Sequence, residues 1–100
     1  MSIKKQYLKS KPVCKVTFSI PENGKKIKKI QLVGEFNNWD TKCSPMKKSK
    51  EGGFTETIEL LPQKEYQYRL LINGELWDND PEADKYVPNS FSGENSVIIL

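Results

Sequence analysis

The strand that decides the fold reads Glu65-Tyr66-Gln67-Tyr68-Arg69-Leu70-Leu71-Ile72. Its even-numbered residues are all aromatic or aliphatic, whereas its odd-numbered residues are mostly polar. A period of two predicts a β-strand that buries one face and turns the other outward. Asn73-Gly74 follows directly and is a strong signal for a tight β-hairpin. Residues 75–77 are therefore predicted to form a short return strand that ends in Trp77.

Other segments carry strand-like patterns, and we predict strands over residues 13–20, 28–35, 54–60 and 96–100. Turn residues separate these segments at intervals of roughly ten residues, which is typical of all-β domains. No segment repeats apolar residues at helical spacing behind a recognisable cap. The sequence therefore predicts an all-β, immunoglobulin-like antiparallel β-sandwich, with a closed barrel as the alternative.

The chain is long enough for one domain, and we divide it into a lead-in arm and a sandwich. Residues 1–11 are polar and rich in lysine, and they are assigned to the arm; residues 12–100 are assigned to the β-sandwich. Residues 36–53 form a long excursion from which Met46 is expected to return to the core. Residues 82–94 are expected to be an irregular acidic loop.

Localisation is inferred from what the sequence contains. No window approaches the roughly 18 to 20 apolar residues that a membrane span needs, and no apolar segment follows the basic N-terminal residues. We therefore expect a cytoplasmic protein with no membrane partner. For the same reason two reduced thiols are expected at Cys14 and Cys43, rather than a disulfide between them.

The charges are distributed unevenly. Residues 1–50 contain 13 lysines and 3 acidic residues, whereas residues 51–100 contain 3 basic and 10 acidic residues. A basic half is one mark of a nucleic-acid-binding protein. However, Arg69 is the single arginine, and arginine is the usual residue for bidentate recognition of bases and phosphates. The lysines are therefore interpreted as solvated faces, and no nucleic-acid partner is expected.

The residue inventory argues against catalysis. Histidine is absent, so neither a nucleophile–base pair nor a zinc site of the usual composition can be assembled. Cys14 alternates inward and is interpreted as a core residue. A group of carboxylates lies close together in sequence and is interpreted as a solvated acidic loop: Asp78, Asp80, Glu82 and Asp84. We expect no enzyme activity, no catalytic residue, no metal and no cofactor.

Two tryptophans point to binding instead. Trp39 and Trp77 both lie where a strand meets a loop, and neither falls on a predicted core face. Asparagines flank both of them, and Arg69 lies on the outward face of its strand, across the hairpin from Trp77. Aromatic rings cover the apolar faces of sugars, while amides and arginine bond to hydroxyl groups. The same residues could also stack single-stranded bases, and composition alone does not choose between the two ligands.

The order of several motifs resembles a known family. These motifs are Gly34-Glu35-Phe36-Asn37-Asn38-Trp39, Gly53-Phe54, Leu60-Leu61-Pro62, Tyr66-Gln67-Tyr68-Arg69-Leu70, Ile72-Asn73-Gly74-Glu75-Leu76-Trp77 and Asn79-Asp80-Pro81. They are similar to the family 48 carbohydrate-binding module, the early-set domain that precedes the catalytic barrels of isoamylases and glycogen-branching enzymes. They also resemble the glycogen-binding domain of AMP-activated protein kinase β subunits. The resemblance covers roughly residues 13–100.

The resemblance implies a β-sandwich that binds α-1,4-glucans such as glycogen, starch fragments and maltooligosaccharides without catalysis. By motif, five residues are expected to bind the carbohydrate: Trp39, Trp77, Arg69, Asn95 and Phe91. Arg69 stands where kinase-type members have a lysine. A separate glucan-metabolising enzyme or kinase-like protein is considered as a further partner. The alternative hypothesis is a protein-interaction or scaffold sandwich that retains only a vestigial sugar site.

Overall fold

The computed structural model describes residues 3–21, 27–50, 52–89 and 93–100, and almost every regular element in those ranges is a strand. One short 3-10 turn, Glu35–Asn37, follows the third strand. The strands in chain order are β1 (Ile3–Tyr7), β2 (Cys14–Ile20), β3 (Ile30–Gly34), β4 (Lys47–Lys48), β5 (Phe54–Leu60), β6 (Glu65–Ile72), β7 (Leu76–Asp78), β8 (Lys85–Pro88) and β9 (Glu94–Ile99).

The strands form two antiparallel sheets. The first sheet has the order β1-β2-β5-β4, and the second has the order β3-β6-β9-β8, with β7 added to β6. Strand β6 is the centre of the second sheet, because it pairs with β3, β7 and β9. Two separate sheets make the fold an all-β sandwich, as predicted, and not the closed barrel that was the alternative.

The core lies between the two sheets and is built from the apolar sides of the alternating strands. Phe18 of β2 and Tyr68 of β6 are fully buried, and their rings meet edge-on with centroids 5.2 Å apart. Phe36, from the turn after β3, packs against both rings. Met46 is buried in the same cluster, so its predicted return to the core is confirmed.

The sequence located the strands with a clear alternation and missed the others. The predicted strand 54–60 and the strand quoted first, Glu65–Ile72, have the predicted bounds. Residues 3–7, assigned to a lead-in arm, form strand β1, and every residue of β1 pairs with a residue of β2. Residues 85–88, expected to be irregular, form β8 and pair with β9. Both of these strands pair at an outer position of a sheet, and neither contains a fully buried residue that would give a clear alternation.

Two further findings concern helices and thiols. Within the described ranges, the structure contains no helix of the length and hydropathy that a membrane crossing requires. Cys14 is buried in the core and Cys43 is half-buried, and both are free thiols.

Candidate functional site

A tight turn at the end of β3 presents Trp39. The turn begins at Gly34, where a Cβ atom would lie only 2.6 Å from the carbonyl oxygen of Gln67 and from Cβ of Tyr68. Glycine therefore allows β3 to approach β6 closely before the chain leaves the sheet. The Asn37 side chain holds the turn, since its Oδ1 accepts from the Gly34 N–H (3.0 Å) and its Nδ2 donates to the Leu32 carbonyl (2.9 Å).

The backbone at Trp39 adopts an unusual conformation. Asn38 and Trp39 both have φ of 57°, in the left-handed region that bulky residues rarely enter. The Trp39 N–H closes the turn by donating to the Gly34 carbonyl at 2.8 Å. The side chain remains 38% exposed, although a tryptophan is costly to leave in water. A strained backbone that holds an aromatic ring in solvent is a feature found at binding sites.

The hairpin after β6 presents Trp77. Asn73 and Gly74 both have positive φ, as the tight connection requires, and Asn73 Oδ1 accepts from the Lys28 and Lys29 N–H groups. Trp77 then lies opposite Leu71 in the β6–β7 ladder and shares its outward face. Its side chain is 40% exposed.

The outer face of the second sheet also carries apolar residues. Val33 and Leu71 are buried, yet they do not belong to the core cluster between the sheets. They lie on the outer face of the second sheet, where Val33 is opposite Arg69 and Leu71 is opposite Trp77. This outer face is therefore a second, smaller apolar surface rather than a solvated one.

A pocket of about 600 Å³ lies on this face. Its described lining residues are Glu35, Trp39, Gln67, Arg69, Trp77, Asn89 and Asn95. The pocket thus brings together four of the five residues expected from the sequence. They come from β6, β7, β9 and the turn after β3, and they are Arg69, Trp77, Asn95 and Trp39. The fifth, Phe91, lies outside the described residues. The Arg69 Nε atom is buried and has no hydrogen-bond partner among the residues that the structure describes.

Three lining residues were missed by the sequence analysis: Glu35, Gln67 and Asn89. They belong to one hydrogen-bonded wall. Asn89 Nδ2 donates to Asn95 Oδ1 (3.0 Å), Asn95 Nδ2 donates to Gln67 Oε1 (3.0 Å), and the Gln67 N–H donates to Glu35 Oε1 (2.8 Å). The alternation of β6 could have identified Gln67, because it shares the outward face with Arg69.

Other asparagines near the tryptophans have a structural role. Asn37 holds the turn described above, and Asn79 joins the second sheet. Its Nδ2 donates to the Glu94 carbonyl (2.9 Å), and its Oδ1 accepts from the Ser96 hydroxyl (2.9 Å). These amides therefore fix the loops that carry the tryptophans, and neither of them lines the pocket.

The acidic segment contains a buried carboxyl, contrary to the expectation of a solvated loop. Asp80 is 0% exposed and accepts hydrogen bonds from the Tyr68 hydroxyl (2.8 Å) and the Glu82 N–H (2.9 Å). Burial raises the pKa of Asp80 above its ordinary value, and it also raises the pKa of Tyr68, with the neighbouring Asp80 charge as a further cause. Asp80 does not line the pocket, so this pair holds the fold rather than meeting a ligand.

The described ranges contain no group of three or more histidine, cysteine, aspartate or glutamate residues that could hold a metal ion. What the pocket offers is two half-exposed indole rings, a guanidinium donor and several amides. Such a surface is suited to holding a flat, polar ligand by stacking and hydrogen bonding.

A family comparison gives this surface a context. The family described as the glycogen recognition site of AMP-activated protein kinase matches residues 14–98, which span eight of the nine strands. The chain belongs to this family. The glycogen-recognition family is the one that the sequence motifs resembled, so that resemblance is confirmed.

Curated relatives that this chain matches are kinase subunits. The chain is 32% identical over 71 residues to the 5'-AMP-activated protein kinase subunit beta-1 of Sus scrofa, a match that covers 71% of this chain and 53% of that protein. It is 31% identical over 71 residues to subunit beta-2 of Homo sapiens and of Mus musculus, covering 71% of this chain and 24% of each protein. The matches thus span about half of one relative and a quarter of the others.

Proposed function

We propose that this domain binds α-1,4-linked glucans, such as glycogen, starch fragments and maltooligosaccharides, without catalysing a reaction on them. The observation that carries the proposal is the pocket on the outer face of the second sheet. Two half-exposed tryptophans line it together with Arg69, whose buried Nε has no hydrogen-bond partner among the described residues. Membership of a family described by glycogen recognition supports the same ligand class.

Stacking provides the apolar part of the interaction. The C–H faces of glucose rings cover the indole faces of Trp39 and Trp77, and each contact contributes about 1 kcal/mol beyond the area it buries. The curvature of an α-1,4-linked chain allows neighbouring sugars to meet two aromatic side chains that line one pocket. A flat β-1,4-linked chain fits a concave pocket less well.

Hydrogen bonds provide the polar part. Arg69 lines the pocket and its side chain makes no hydrogen bond to a described residue, so its terminal guanidinium nitrogens can donate to sugar oxygens without giving up a described protein contact. Asn95 uses one donor and one acceptor within the amide wall, which leaves the second donor and acceptor of the amide for hydroxyl groups. A single site of this size should bind weakly, with a Kd in the roughly micromolar to millimolar range.

The direct test is intrinsic fluorescence during titration with maltoheptaose, with cellohexaose as the control sugar. The chain contains two tryptophans and both line the pocket, so the tryptophan component of the signal comes from the proposed site. We expect a saturable change with maltoheptaose and none with cellohexaose. A flat trace with both sugars at millimolar concentration would show that the proposal is wrong.

Calorimetry on Arg69→Gln locates the site. The substitution breaks no hydrogen bond of Arg69 Nε within the protein, so thermal stability should change little. Affinity for maltoheptaose should fall about tenfold, the expected effect of losing a charged hydrogen bond. Tyr7→Ala, which removes an exposed aromatic residue from β1, is the matched control and should leave affinity unchanged. Equal affinities for Arg69→Gln and the wild type would show that the sugar binds away from Arg69.

A second candidate is a protein-interaction module with a vestigial sugar site. The curated relatives are named as subunits of a protein kinase, and this favours contact with a separate polypeptide. A pull-down that retains a protein kinase while glucan-coated resin fails to retain the domain would support this candidate. Retention on glucan resin by the isolated domain would oppose it.

A further inference from the structure

The pocket contains two opposite charges that do not neutralise each other. Glu35 and Arg69 are the charged residues among its described lining, and no ion pair joins them. A guanidinium only donates hydrogen bonds, whereas a carboxylate only accepts them. The pocket therefore offers a ligand both a charged hydrogen-bond donor and a charged hydrogen-bond acceptor.

Glu35 is held in place by the main chain. It follows β3 directly, and its Oε1 accepts from the Gln67 N–H at 2.8 Å, which fixes the direction of the carboxylate. The side chain is nevertheless exposed, and no described residue donates to its other oxygen. The geometry leaves Oε2 as an oriented acceptor on the pocket wall.

A ligand that satisfies both charges has to donate to Glu35 and accept from Arg69. Hydroxyl groups do both, so a neutral polyol is suited to the pocket. An anionic ligand gains from Arg69 but meets the like charge of Glu35 nearby. A carboxylate in this position therefore favours uncharged over phosphorylated chains.

Building on the function proposed above, we propose that Glu35 is a specificity-determining residue. It accepts a hydrogen bond from a sugar hydroxyl and disfavours glucans that carry anionic groups such as phosphate. Neither the sequence motifs nor the tryptophan positions assign this role to Glu35. It follows from the location of the carboxylate in the pocket and from the absence of an ion pair with Arg69.

The test compares two ligands by calorimetry: maltoheptaose, and maltoheptaose that carries one phosphate on a 6-hydroxyl. The variant is Glu35→Gln, whose amide oxygen can still accept from the Gln67 N–H, so the turn is kept. The control is Glu59→Gln, which makes the same charge change at an exposed position on β5 in the other sheet. Thermal melts of all three proteins verify folding.

We expect Glu35→Gln to weaken binding of the neutral chain roughly two- to tenfold, because a charged acceptor becomes a neutral one. The affinity for the phosphorylated chain, relative to the affinity for the neutral chain, should rise about two- to fivefold. This is the usual size of an exposed charge interaction. That shift in ratio should shrink at high salt. Glu59→Gln should match the wild type.

The experiment distinguishes a failure of the role assigned to Glu35 from a failure of the proposed glucan binding. If the wild type binds maltoheptaose and Glu35→Gln leaves both the affinity and the ratio unchanged, the role assigned to Glu35 is wrong while the glucan site stands. If the wild type binds neither chain, the proposed function itself fails and this inference fails with it.

Discussion

Glu56 allows a sharp test of how this sandwich tolerates a buried carboxyl. It lies in β5 directly opposite Phe18 of β2, so its side chain points toward the core-facing side of the first sheet. Its Oε1 is buried and has no hydrogen-bond partner within the described part of the chain. Burial raises the pKa of Glu56 above its ordinary value, because the charged form loses water and gains no partner.

The perturbation is Glu56→Met, which keeps the length of the side chain and removes the carboxyl group. An unsatisfied buried polar group costs about 1–3 kcal/mol. Glu56 is only half-buried, so we expect a gain at the lower end, about 1 kcal/mol near pH 7. For a domain of 100 residues this corresponds to a rise in Tm of about 4–8 °C.

The sign of the pH dependence follows from the direction of the shift. Because the folded pKa of Glu56 lies above the unfolded value, its protonated form is favoured in the fold. The corresponding stability is fully present below the unfolded pKa and is lost as pH rises through the folded pKa. The advantage of Glu56→Met over the wild type should therefore be full near pH 7 and small at about pH 3.5.

The assay is urea denaturation of both proteins at these two pH values. Glu59→Met, three residues further along the same strand at an exposed position, is the matched control and should change stability by less than about 0.5 kcal/mol. The reasoning is refuted if Glu56→Met is no more stable than the wild type near pH 7. A gain of equal size at both pH values would also refute it, since packing rather than charge would then be the cause.

The same variant has a second readout at Cys43. Burial raises the pKa of the Cys43 thiol, and the neighbouring charges of Glu56 and then Asp40 raise it further. Glu56→Met should therefore lower this pKa, and alkylation of Cys43 should reach half its maximal rate at a lower pH. An unchanged alkylation profile would place Glu56 too far from the thiol to influence it.

Two further substitutions test the contacts that shape the site. Gly34→Ala should destabilise the fold by about 1–3 kcal/mol, because the new Cβ would lie 2.6 Å from the Gln67 carbonyl oxygen. Thermal melts measure this loss of stability. The control is Gly93→Ala, which should be nearly neutral because the nearest atom to its new Cβ is at 3.7 Å. Asp80→Ala should also cost about 1–3 kcal/mol in urea denaturation, since the buried Tyr68 hydroxyl loses its acceptor. An Asp80→Ala protein as stable as the wild type would show that the Tyr68–Asp80 bond adds nothing.

The sequence by itself determined the strands in which one face is buried. In β2 and β6 the alternation of apolar and polar residues is a local consequence of side chains that point to opposite faces, so it can be read without a partner strand. The hairpin after β6 was equally readable, because Asn73-Gly74 is chemically suited to positive φ. The same alternation placed Arg69 on the outward face, beside the position that Trp77 reaches through the hairpin.

The tertiary structure alone decided the rest. Strand β1 pairs with β2 through main-chain hydrogen bonds, and its own lysine-rich sequence has no pattern that predicts this pairing. Asp80 is buried because the chain folds over it, although the other acidic residues of this segment, Asp78, Glu82 and Asp84, are exposed. Glu35 faces the same pocket as Arg69 because antiparallel pairing sets Gly34 beside Tyr68. Proximity between residues more than 30 positions apart depends on strand pairing, and local residue patterns do not encode it.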